Sequence, residues 1–142
     1  MKKEFVPYEL AVKLKELGFN EPCFFAFDNC STPMRCSDLR TNEQKFDGVN
    51  YNSSTYTSQP TFSQAFRWFR EKHKLNGETT YLPNIGMYGI IASDMTVKPK
   101  DLSKGENFKR GSEVTDNYAR YPTREEAESA CLQKLIEIIK TK

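Results

Sequence analysis

Apolar positions recur at helical spacing in three places along the chain. Val6, Leu10, Leu14 and Leu17 are separated by four, four and three residues and fall on one helix face. They predict a helix from about Pro7 to Leu17. Pro7 suits the first turn, where its missing N–H has no intrahelical partner to lose. Gly18 is the expected left-handed residue just past the end, and Phe19 behind it can pack back on Leu14, as in a Schellman ending. Phe62, Ala65, Phe66 and Phe69 follow i, i+3, i+4, i+7 and predict a second helix from about Thr61 to Leu75. Thr61 and Gln64 have the spacing of a capping box at its start, and Asn76-Gly77 ends it. The third helix, over residues 123–140, carries two adjacent stripes: Ala127, Cys131, Leu135 and Ile138, then Leu132, Ile136 and Ile139. Thr123 and Glu126 form another capping box, and acidic residues occupy the positive first turn. The wide apolar arc predicts a helix set deep against a sheet.

Between these helices the pattern is shorter in period. Cys23 to Asp28 follows Pro22, is aromatic and shows little alternation, which predicts a short strand buried on both faces. Thr79–Leu82 and Met87–Ser93 predict two strands joined by a turn around Pro83-Asn84. Shorter strands are expected near Met34–Leu39 and Lys45–Tyr51, with Asp47-Gly48 as a turn, and Val114–Tyr121 is expected to return as a last strand. Long polar loops are expected near 29–59 and 94–112. The whole reads as one α+β domain: about three helices on a mixed or antiparallel sheet of four or five strands. No internal repeat and no linker divides it.

Composition sharpens this picture. The chain has 142 residues, a common length for one domain, and can bury a core without a metal or disulfide. Charged residues make up 28% and hydrophobic residues 37%, with a mean hydropathy of -0.71, yet aromatics reach 13%. Disordered chains are poor in aromatics, so an aromatic core with polar loops is expected. The formal net charge of +2 is too small to imply nucleic acid or an anionic membrane by itself. No secretory signal and no membrane-spanning run is read, so a cytoplasmic protein with reduced cysteines and no membrane partner is expected.

Candidate chemistry is sparse. Cys23, Cys30, Cys36 and Cys131 include no C-x-x-C pair, and with the lone His73 they make a weak case for zinc; no metal and no cofactor is expected. Cys23 and Cys131 suit small core positions. His73 returns to the phenylalanine face near the helix C-terminus, which favours a structural or surface role. A single histidine excludes chemistry that needs two. There is no P-loop and no G-x-S-x-G elbow. One constellation remains, on the second helix. Ser63, Arg67, Arg70 and Lys74 are spaced four, three and four and share a stripe beside the phenylalanine face, with Trp68 on that face's far side. Such a stripe can engage phosphates, and a neighbouring aromatic can stack a base. The preferred reading of the same residues is an ordinary solvated face with Trp68 tucked into the core.

Three stretches carry a resemblance. They are Phe5-Val6-Pro7-Tyr8-Glu9-Leu10-Ala11 with Leu17-Gly18-Phe19-Asn20-Glu21-Pro22-Cys23-Phe24, then residues 60–72 from Pro60 to Lys72, and Tyr121-Pro122-Thr123-Arg124-Glu125-Glu126-Ala127-Glu128. Together they resemble a small family of uncharacterised proteins from gut Bacteroides-type bacteria and their phages. The resemblance implies a phage or mobile-element context and no particular activity. The expected function is therefore a non-enzymatic binding or assembly module, host-directed or virion-associated, whose partner is another protein or a second copy of itself. The alternative is nucleic-acid or nucleotide binding through the basic helix face. An enzyme with a site not visible in the sequence is the third reading.

Overall fold

A computed structural model describes residues 2–28, 30–35, 56–96 and 120–141. The chain forms two compact units, Met1–Gln64 and Ala65–Lys142. The boundary falls inside a helix, between Gln64 and Ala65.

The first unit begins with a 3-10 turn at Lys2–Glu4 and the helix α1, Tyr8–Glu16. Pro7 caps α1 in extended conformation, and its carbonyl accepts the first helical bond from the Ala11 N–H at 2.9 Å. The far end is the Schellman ending that the sequence predicts. Gly18 has φ of 90°, the Phe19 N–H donates to Leu14 O at 2.9 Å, and the Gly18 N–H donates to Lys15 O at 3.0 Å. Two carbonyls that helix geometry leaves open are thereby satisfied. Val6, Leu10, Ala11, Leu14 and Phe19 are buried.

Three short antiparallel strands follow: β1, Phe25–Phe27; β2, Pro33–Arg35; and β3, Thr57–Gln59. Their order is β2-β1-β3, with Ala26 opposite Met34 on one side and Ser58 on the other. The Asp28 side chain shapes the turn between β1 and β2 by accepting from the backbone N–H groups of Cys30 and Thr32, both at 2.9 Å. Burial differs from the expectation, with Phe25 and Asp28 only half-buried. Ala26 and Phe27 are buried, whereas Phe24, just ahead of the strand, is 73% exposed. The strand β3 lies inside the stretch expected to be a polar loop. Its Thr57 and Ser58 are buried despite their hydroxyls. Beside it, Val6 N–H donates to Pro60 O at 2.9 Å, and Gln59 Nε2 donates to Val6 O at 3.2 Å. Backbone pairing here holds a segment whose side chains give no apolar alternation.

The helix α2 spans Phe62–Trp68 and passes directly into a π-helical turn, Phe69–His73. The Thr61 hydroxyl accepts from the Gln64 N–H at 3.2 Å, one half of the expected capping box. The other half is redirected: Gln64 Nε2 donates to Pro22 O at 2.6 Å. The helix ends earlier than Leu75. Lys74 takes the left-handed conformation (φ 56°, ψ 34°), and its N–H donates to Phe69 O.

In the second unit, β4 (Leu75–Leu82) and β5 (Met87–Asp94) form an antiparallel hairpin. Asn76-Gly77, expected to end a helix, lies inside β4. A methyl group on Gly77 would stand 2.8 Å from Leu135 Cδ1, 3.0 Å from Cys131 Sγ and 3.1 Å from Phe66 Cδ1. Glycine is here for close packing and not for a turn. The turn at 83–86 joins the strands where Pro83-Asn84 predicted it; Gly86, at φ 65°, donates its N–H to Leu82 O at 2.9 Å. The helix α3, Arg124–Thr141, covers one face of the hairpin with Ala127, Cys131, Leu132, Leu135 and Ile136 buried. Ile138 and Ile139, at the ends of the two stripes, are half-buried. Thr123 accepts from the Glu126 N–H at 3.3 Å, and Arg124 pairs with Glu128 one turn on at 2.9 Å.

The fold is α+β, with three α-helices and five antiparallel strands among the described residues. The strands divide into sheets of three and two, where one sheet of four or five was expected. The expected strands at Lys45–Tyr51 and over most of Val114–Tyr121, the turn at Asp47-Gly48 and the loop at 94–112 from residue 97 onward lie outside the described residues. Tyr121 itself bridges to Tyr88.

Candidate functional site

The basic stripe is the sequence's own candidate. Ser63 and Arg67 are exposed on α2, Lys74 is exposed, and Arg70 is half-buried. The stripe does not continue as an α-helical ridge. In the π-helical turn the backbone bonds run to the fifth residue instead of the fourth, so every later side chain shifts by about one position around the axis. Lys74 then lies at the left-handed cap and not on the helix face. Arg67 and Lys74 remain solvent-facing cations, but the four-three-four spacing no longer aligns them.

Trp68 is placed differently from the stacking residue proposed for it. Its side chain is 2% exposed, with its ring edge-on to Phe69 (5.1 Å between centroids) and to His73 (4.7 Å). A base cannot reach a ring covered in this way. The buried alternative is the one observed. His73 joins the same cluster, 5.7 Å from Phe69 and half-buried.

The cysteines separate by environment. Cys23 is buried, with Sγ 3.4 Å from Glu21 O and 3.8 Å from Gln64 Oε1. Cys131 is buried beneath the hairpin, with Sγ directed at Ile91 O (3.6 Å) and Glu78 O (3.7 Å). Burial pushes its thiol from 9.0 up to about 12, so it carries almost no thiolate at neutral pH and is a poor nucleophile. Cys30 is exposed, and Cys36 lies outside the described residues. Among the described residues, no group of three or more His, Cys, Asp or Glu could hold a metal ion, and no helix is long and apolar enough to cross a membrane.

A second surface is visible only in the structure. The far end of the β4–β5 hairpin exposes Tyr81 (53%) and Ile85 (55%). Tyr81 stands opposite Tyr88, their ring centroids 5.1 Å apart, and Leu82 stands opposite Met87. Leu82, Met87 and Tyr88 are half-buried. The strand β5 is held here from its other side. Tyr88 N–H donates to Tyr121 O at 2.8 Å, and Tyr121 N–H donates to Tyr88 O at 2.9 Å. No Asp, Glu, Lys or Arg occurs from Thr79 to Ser93, although 28% of the chain is charged. The missing charge was the available signal. It says that the Thr79–Ser93 end of the hairpin lacks charged side chains, but not which of its apolar ones face solvent. That depends on how far α3 reaches along the strands.

No protein-family model, curated protein or solved structure matches this chain.

Proposed function

We propose that the protein is a non-enzymatic binding or assembly module, and that the β4–β5 hairpin end is where it engages another protein or a second copy of itself. The observation that carries this reading is the exposed pair Tyr81 and Ile85 on a hairpin end whose own residues, Thr79 to Ser93, carry no charge. Isolated surface apolar residues are ordinary. A tyrosine pair beside Leu82, Ile85 and Met87 is a different matter, because interface centres are rich in aromatic residues and methionine and poor in charge. The setting implied by the sequence resemblance, a phage or mobile element acting in a host cytoplasm, suits such a module in host-directed or virion-associated form. The test is size-exclusion chromatography with light scattering, together with pull-down from host lysate, using wild type and a Tyr81→Thr, Ile85→Glu variant. The reading expects self-association or a captured partner that the variant loses. A wild-type monomer that captures nothing overturns it.

The second reading is nucleic-acid or nucleotide binding through Arg67, Arg70 and Lys74, with Ser63 at the same helix. The exposure of Arg67 and Lys74 favours it; the burial of Trp68 removes its stacking partner. It expects binding at low salt that weakens as salt rises and on Arg67→Ala with Arg70→Ala. A fluorescence-anisotropy titration with single-stranded and duplex oligonucleotides, flat at low salt, ends it.

A further inference from the structure

We draw no further inference here: the strongest candidate, the uncharged aromatic end of the β4–β5 hairpin around Tyr81, Ile85 and Tyr88, already carries the proposed function, and nothing in the structure shows which occupant covers it.

Discussion

The two halves of the β4–β5 hairpin share one antiparallel register and differ in what lies over them. In the half that begins at Leu75, Gly77 is paired with Ala92, and both are buried. Leu135 and Cys131 of α3 come so close that Gly77 has no room for a methyl group. In the other half Tyr81 is paired with Tyr88, and Tyr81 is more than half exposed. The small pair Gly77 and Ala92 stands where α3 crosses closely, and the tyrosine pair stands where Tyr81 is left exposed. Packing against a neighbour therefore dictates the covered half, while the open half keeps large apolar groups that folding does not bury. An open aromatic end costs solubility, and the proposed partner would offset that cost by covering it.

The sharpest way to break this comparison is to remove cover from the packed half. Leu135 is fully buried, and Leu135→Ala deletes apolar volume next to Gly77. The expected loss is about 2–5 kcal/mol of unfolding free energy in urea or guanidinium titration. A loss below about 1 kcal/mol would mean that α3 is not closely packed on the hairpin.

The reverse change is to overfill the same place. Gly77→Val puts branched carbon where Leu135 Cδ1, Cys131 Sγ and Phe66 Cδ1 already lie within 3.1 Å. The expected cost is about 1–3 kcal/mol, seen as a lower denaturation midpoint. The cost falls short of a backbone clash because the ends of side chains can give way. A Leu135→Ala background should relieve part of it, and strict additivity of the two changes would argue against the contact.

How much of this was legible beforehand depends on what kind of information each feature uses. The caps of α1 and α3 are local. Gly18 and Thr123 act on backbone groups within a few residues, and the structure shows them doing so. The helix stripes and the 83–86 turn are local as well. Gly77 was misread because Asn-Gly ordinarily ends a helix, whereas its reason is a distant side chain, Leu135. The strand β3 was missed because backbone pairing with Phe25–Phe27, not apolar alternation, defines it. The π-helical turn has no composition of its own, so the expected stripe through Arg70 and Lys74 assumed a regular helix. As for the candidate surfaces, the exposed cations of the basic stripe were legible. The burial of Trp68 and the exposure of Tyr81 were not, since both depend on which neighbours cover them.

Alkali offers a milder probe of the packed half. Cys131 has its thiol pushed from 9.0 up to about 12 by burial. Between those values the native state holds a proton that the unfolded chain has released. Stability from this group is therefore complete below about pH 9 and falls as pH rises toward 12, by about 1.4 kcal/mol per unit. Other groups titrate in that range, so the informative quantity is the difference in slope between wild type and Cys131→Ala. Equal slopes would show that Cys131 is not buried in solution. At pH 8, iodoacetamide should modify Cys30 and spare Cys131, as peptide mapping would show.

The smallest expected effect on stability belongs to the open half, where the largest effect on function is expected. Tyr81→Thr keeps a residue suited to a strand, and Ile85→Glu places a charge at an exposed turn position. The variant gives up the Tyr81–Tyr88 ring contact, worth about 1 kcal/mol or less, and little else. Its denaturation midpoint should stay close to wild type, while self-association or partner capture falls at least about tenfold, the size of loss expected when a hot-spot tyrosine at an interface centre is removed. Unfolding comparable to that of Leu135→Ala would mean that the hairpin end is a packed part of the fold, and the contrast between the two halves would disappear. Unchanged stability with unchanged binding would leave the contrast intact and move the interaction elsewhere, with Arg67 and Lys74 next to be substituted.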